Sequence, residues 1–356
     1  MHAERIPRRS ARSLLRRALV VLLLLVVLPA FLLGLDSAWT VTTSPAHRTT
    51  ITEVSPGDRS APTYRSDSAA IFVNGLGLDV SERQARALSP SVGRFGRVYS
   101  LAYASVFDAD RAADAVAEAI RDPEHPKKPS YLTVLTSSMG DVRGLEIIAS
   151  LQQRHEEVRV VGFVVNTGPG PGKRLRVRGG ETIQRILDQS CSPFVPGSVT
   201  LGLVELANQT LQGNVDDLDG AAAAFNAGRQ YRGHVLVNQL CSLTRPAAIT
   251  DPPTIPYSVY LGVADPADDV VVYTEPAYDD WLDLLPGMEI RRVRGATHDN
   301  FHFRPDLFNP LLTHDILPKI SSARRLAYPP RPATAHDSDD PLRRRERTFS
   351  GPARPV

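Results

Sequence analysis

The sequence predicts an α/β fold in which a mostly parallel sheet is flanked by helices and interrupted by a mainly helical cap. Short apolar runs alternate along the chain with amphipathic helical patterns, the rhythm of repeated strand–helix units. Several runs, such as Val158 to Val165, are apolar on both faces, as strands covered by helices on either side must be. The rhythm breaks once, between Thr167 and Pro256, and then resumes.

The elements follow in order. Ala69 to Val73 reads as a strand, Ser81 to Leu88 as a short helix, and Val98 to Tyr103 as a strand. Asp108 to Arg121 is a helix with Ala112, Val116, Ala119 and Ile120 on its apolar face. Tyr131 to Leu135 is the next strand, Met139 to Gln153 a helix, and Val158 to Val165 a strand. After the break come the strand Ser258 to Gly262, a helix over Tyr278 to Leu285, the strand Glu289 to Val293 and a last helix from Asp306 to Ile320. Residues 69–166 and 256–322 therefore form the core, and 167–255 an inserted cap with helical stretches near Glu181 to Gln189, Val199 to Leu211, Leu218 to Ala227 and Val235 to Leu243. The cap opens on Gly168-Pro169-Gly170-Pro171-Gly172, which lacks the Lys-Ser or Lys-Thr ending of a phosphate loop.

The two ends differ from this core. Residues 1–17 hold Arg5, Arg8, Arg9, Arg12, Arg16 and Arg17, and the stretch from Ala18 to Leu35 carries no charge. That length sits at the lower edge of a bilayer span, and the arginines keep their side in the cytoplasm. The expectation is a plasma-membrane protein with one N-terminal signal anchor over 18–35 and everything after Asp36 outside; secretion after signal cleavage is the alternative. Residues 36–68, rich in Ser, Thr and Pro, read as a linker, and 323–356, with repeated Pro and Arg343-Arg344-Arg345, as a disordered tail. The formal net charge of +2 comes from arginine at the ends, so the composition gives no reason to invoke nucleic acid. Cys191 and Cys241 are the only cysteines. An outside location allows them to pair, closing a loop worth roughly 4 kcal/mol on chain entropy, while two buried thiols are the other reading. Neither has a second Cys or a His at ligand spacing, so no metal is expected there.

Chemistry concentrates at Thr136-Ser137-Ser138-Met139-Gly140, where a predicted strand turns into a predicted helix. A serine at such an apex is exposed, and the first helical N–H groups point at whatever it attacks. Its hydroxyl becomes a nucleophile only when a base takes its proton and a third group orients that base. Gly262-Val263-Ala264-Asp265 supplies a carboxylate just past a strand end, with Asp268 and Asp269 close behind and Asp265 favoured as nearest the strand. Gly295-Ala296-Thr297-His298-Asp299 supplies an imidazole past the next strand, with His302 as fallback.

With Ser138, Asp265 and His298 in that chain order, the sequence resembles the α/β-hydrolases over roughly Ala69 to Ile320, in particular bacterial membrane-anchored or secreted members with a cap. The resemblance implies hydrolysis of a carboxylic ester through an acyl-serine, with no cofactor and no metal. It also implies an oxyanion hole from the N–H groups of Leu76, in the turn Asn74-Gly75-Leu76-Gly77, and Met139. An apolar cap favours a lipid-like or other acylated small molecule. Thr136 stands where the elbow consensus has glycine and Asn74 where the family has histidine. The alternative function is a catalytically silent fold that binds a ligand or partner at the cell envelope.

Overall fold

The computed structural model describes residues 28–43, 49–74, 80–102, 107–121, 130–170, 198–211, 217–230, 249, 251–269, 272–298 and 301–329. Its centre is a seven-stranded sheet: β1 (Thr50–Ser55), β2 (Ser68–Asn74), β3 (Arg97–Ala102), β4 (Ser130–Ser137), β5 (Val158–Asn166), β6 (Ser258–Val263) and β7 (Glu289–Val293). The spatial order is β1-β3-β2-β4-β5-β6-β7. Only β1 runs antiparallel to its neighbour.

Successive residues of the central strands point to opposite faces, and both faces are buried. Ile71, Val134 and Phe163 enter one apolar cluster. Phe72, Leu135 and Val164 enter the other. That is why these strands read as unbroken apolar runs. The first face is covered by α3 (Ala109–Ile120), α4 (Gly140–Arg154) and α7 (Thr274–Leu284), with Trp281 packed edge-on to Phe163 at 5.8 Å. The second is covered by α2 (Val80–Val92), α8 (Pro305–Leu311) and α9 (Leu317–Ala327). There Phe301 lies edge-on to both Phe72 and Phe308. Each such fully buried ring or branched side chain contributes on the order of 1.5–3 kcal/mol.

Asp108 starts α3 by accepting the Arg111 N–H at 3.1 Å, which satisfies one of the helix's first amides. Pro310 sits inside α8, and a π-turn over Leu312–Ile316 joins α8 to α9. A missing N–H at a proline favours such an irregularity.

The structure differs from the sequence reading at both ends of the core. Strand β1 lies inside 36–68, the segment expected to be a linker. Only Ile51 and Val54 are apolar in it, because an edge strand buries one side, and its Ser/Thr-rich remainder reads as loop. Helix α9 runs to Ala327, past the expected start of the tail at 323. The helix α1 (Leu28–Thr43) carries on through Asp36 instead of stopping there. Among the described residues no helix is long and apolar enough to cross a membrane, so the expected anchor finds no support there; its first part, 18–27, lies outside them. Two of the four helices expected in the cap are among the described residues, as α5 (Ser198–Leu211) and α6 (Leu218–Gln230). The other two, with Cys191 and Cys241 and most of the tail, lie outside the described residues.

Candidate active site

Strands β4 to β7 all run the same way, so their carboxyl ends share one rim, the place where open parallel sheets assemble sites. Ser138 lies at that rim between the last residue of β4 and the first turn of α4, with φ 56°. A left-handed backbone is costly for a residue with a Cβ, by about 1–2 kcal/mol. Two bonds hold it. The Ser138 N–H donates to Asn166 O at 3.1 Å, extending the β4–β5 ladder, and Asp141 N–H donates to Ser138 O at 3.1 Å, opening the helix.

Thr136, where a glycine is usual, is fully buried and donates its hydroxyl to Val164 O at 3.1 Å. Its methyl occupies the space that Gly144 leaves on the facing side of α4, since a Cβ at Gly144 would overlap Thr136 Cγ2. The glycine that lets helix and strand approach has therefore moved from strand to helix. Ser137, the neighbouring hydroxyl, is fully buried and accepts from Asn166 Nδ2 at 3.1 Å. It belongs to the strand, and Ser138 alone stands at the apex.

His298 reaches that apex from the far side of the sheet. After β7 the chain reverses at Gly295, with φ 77°, and Ala296 is pinned in the core. The imidazole Nε2 then lies 2.9 Å from Ser138 Oγ. Its Nδ1 lies 3.2 Å from a carboxylate. With a carboxylate beside it, Nδ1 carries the proton and donates it, leaving Nε2 to accept the serine hydroxyl.

That carboxylate is Asp269, not the expected Asp265. Asp265 leaves β6 directly, but Pro266 opens a single 3-10 turn there, and Asp265 caps it by accepting the Ala267 N–H at 2.8 Å. Its side chain is thereby committed to an exposed turn. The turn carries the chain on to Asp269, whose side chain is fully buried and is oriented by the Val272 N–H at 2.8 Å. His302, the fallback base, instead stacks on Phe303 with ring centroids 3.9 Å apart.

Met139 occupies the N-cap position of α4, so its N–H belongs to the first amides, which the helix itself does not use. Leu76, the other expected oxyanion donor, lies outside the described residues. Gly168, which the sequence reading assigned only to the start of the cap, passes so close behind the elbow that a Cβ there would overlap both the Asp141 carboxylate and Ser138 O. Tyr260 Oη donates to Gly168 O at 2.9 Å. Burial pushes this phenol well above its ordinary range, and the Asp141 carboxylate adds to the shift, so it remains a donor at neutral pH. The signal in the sequence was a glycine two residues past the end of the strand beside the elbow strand.

No protein-family model and no curated protein matches the sequence. Solved structures do resemble it. A Burkholderia cenocepacia protein described as an aryl esterase aligns with TM-score 0.52 at 16% identity, over 77% of this chain and 95% of its own. The esterase RhEst1 from Rhodococcus sp. ECU1013 aligns with TM-score 0.50 at 16% identity, over 77% and 96%. A hydrolase from Oleispira antarctica aligns with TM-score 0.50 at 10% identity, over 76% and 94%. At these identities the likeness speaks to architecture, and together with the strand order and the elbow it shows that the chain has the α/β-hydrolase fold.

Proposed function

We propose that the protein is a serine hydrolase that cleaves carboxylic esters through an acyl-serine intermediate. The observation that carries this reading is the chain of contacts from Ser138 Oγ to His298 Nε2 at 2.9 Å and from His298 Nδ1 to Asp269 at 3.2 Å. His298 takes the hydroxyl proton as Ser138 Oγ bonds to the ester carbonyl carbon. The negative charge that develops on the carbonyl oxygen faces the Met139 amide, and Asp269 stabilises the imidazolium. Collapse breaks the bond to the leaving alcohol, which receives the proton from His298. Water then gives one proton to the same imidazole as its oxygen bonds to the acyl carbon; the bond from that carbon to Ser138 Oγ breaks, the carboxylic acid leaves, and the imidazolium returns the proton to Ser138 Oγ.

The solved structures described as esterases are consistent with this chemistry. A lipid-like or other partly apolar ester is the substrate class that an apolar cap favours. The departure at Thr136, which favoured a silent binding fold, is absorbed by Gly144. We place the catalytic domain on the outer side of the cytoplasmic membrane, on the strength of the arginine-rich start and the uncharged stretch after it.

A fluorophosphonate probe tests the mechanism. The folded protein should be labelled at Ser138, and Ser138→Ala should not be labelled. A folded protein that resists the probe, or a label on another residue, refutes the assignment. A series of chromogenic esters of increasing acyl length then reads the substrate class, with kcat/KM rising with chain length if the substrate is lipid-like.

A further inference from the structure

We propose that α1 and α5, the first of the described cap helices, form one membrane-seated surface, joined by the Asp36 carboxylate, so that the cap is held at the bilayer interface. Helix α1 exposes Leu28, Phe31, Leu32, Leu33, Leu35 and Trp39. Phe31, Leu35 and Trp39 follow one another at helical spacing on one side, Leu28 and Leu32 on the next, and a Cβ added at Gly34 would meet nothing within 4 Å. A helix that is apolar around its circumference and exposed in a water-soluble setting lacks its proper environment. On α5, Val199 and Leu203, four residues apart, are exposed as well.

Asp36 is the only charged residue between Leu28 and Thr43. Its carboxylate accepts the Val199 N–H at 3.3 Å, the Thr200 N–H at 3.0 Å and the Thr200 hydroxyl at 3.1 Å. The one charge of α1 is thus spent on the first amides of α5, where the helix dipole also favours an anion. Such bonds strengthen as water is excluded. The same contact both makes α1 compatible with an apolar phase and fixes the cap to it.

The occupant of this surface is a lipid bilayer with anionic headgroups. The sequence running into α1 is uncharged from Ala18 onward and is preceded by six arginines, which complement anionic phosphates. Any short apolar helix could be covered by a second copy of the chain, but that would give the arginines no counter-charge. On the proposed esterase reading, the consequence is that the cap faces molecules dissolved in the membrane.

Tryptophan fluorescence of the full-length protein tests this without any use of turnover. The chain has two tryptophans, and Trp281 is fully buried. In a Trp39→Phe background, Leu203→Trp places a reporter on the cap. The protein is bound to vesicles of equal parts phosphatidylcholine and phosphatidylglycerol, with and without bromine near the headgroup end of the acyl chains. The reporter's emission should fall about twofold in the brominated vesicles, as for a side chain at the headgroup–acyl boundary. Asp36→Asn keeps a capping oxygen and should preserve the quenching, whereas Asp36→Ala should abolish it at the cap but leave native Trp39 quenched in the parallel Trp39-containing protein. An unchanged far-ultraviolet circular dichroism spectrum and denaturant midpoint for Asp36→Ala report that the core is folded. A cap reporter that is not quenched while Trp39 is quenched overturns the proposal, and so does equal quenching with Asp36→Ala. Loss of quenching at both sites with formation of a dimer assigns the surface to a second copy and also overturns it.

Discussion

Two adjacent strands end in the same backbone turn, yet only one of the turns carries the proposed nucleophile. Ser138 follows β4 with φ 56°, and Thr167 follows β5 with φ 53°; among the described residues they are the only non-glycine positions with positive φ. Each donates its N–H to the last stretch of the next strand, Ser138 to Asn166 O and Thr167 to Leu261 O. The left-handed turn is therefore a way of extending a parallel ladder by one bond while the chain leaves the sheet. For a β-branched residue like Thr167 it is an outlier that the surrounding packing must enforce. What separates the two is what happens next. Ser138 leads into the amides of α4 and meets an imidazole from 160 residues further along the chain. Thr167 is fully buried and leads through Gly168 towards the cap. Backbone strain marks the rim of the sheet, and the arriving histidine singles out Ser138 as the proposed nucleophile.

The sharpest way to break this comparison is to remove each hydroxyl in turn. Ser138→Ala should lower kcat for a chromogenic ester by about ten-thousand-fold or more, because the nucleophile is lost. Thr167→Ala should leave kcat within about tenfold, with any loss coming through the position of the elbow. Equal losses in the two variants would show that Thr167 takes part in the chemistry. Next in size is the acid. Asp269→Asn should lower kcat by about a thousand-fold to ten-thousand-fold, since the amide favours the wrong imidazole tautomer. Asp265→Asn, which retains a capping oxygen for the Ala267 N–H, should change kcat by less than about threefold. The reverse ranking would return the acid to the residue nearest the strand.

The same contrast explains how much of the molecule was legible in its sequence. The central strands declared themselves, because burial on both faces makes most of their positions apolar, and the elbow did so because strand, serine and helix are contiguous. His298 was legible as the imidazole just past a strand end. Asp265 misled because proximity to the strand was the only criterion available, and sequence did not show that Pro266 would convert that aspartate into a turn cap. Strand β1 was missed because an edge strand needs few apolar residues. Gly168 reads in the sequence only as part of the Gly-Pro run that opens the cap, since its reason for being glycine is a through-space overlap with Ser138 O and Asp141. Side chains that act through contiguous neighbours can be read from a sequence; those that act across the fold need coordinates.

Thr136 and Gly144 give the smallest and most specific test of that last point. A Cβ on Gly144 would overlap Thr136 Cγ2, and neither atom can step aside cheaply, because Thr136 is fully buried and fixed by its bond to Val164 O. Gly144→Ala should therefore destabilise the protein by about 1–3 kcal/mol in denaturant unfolding despite alanine's better helix propensity. Thr136→Ser removes the methyl while keeping the hydroxyl that bonds Val164 O. Alone it should cost about 1 kcal/mol for the small void it leaves. Combined with Gly144→Ala it should recover most of the loss, a coupling of about 1 kcal/mol or more between residues eight positions apart. Additive effects would mean that helix and strand shift apart to accept the methyl. In that case Ser138 would move with α4, and kcat of Gly144→Ala would fall even where its fold survives. If the pair instead couples as expected, the elbow tolerates threonine at its first position because the space it needs was left on the helix.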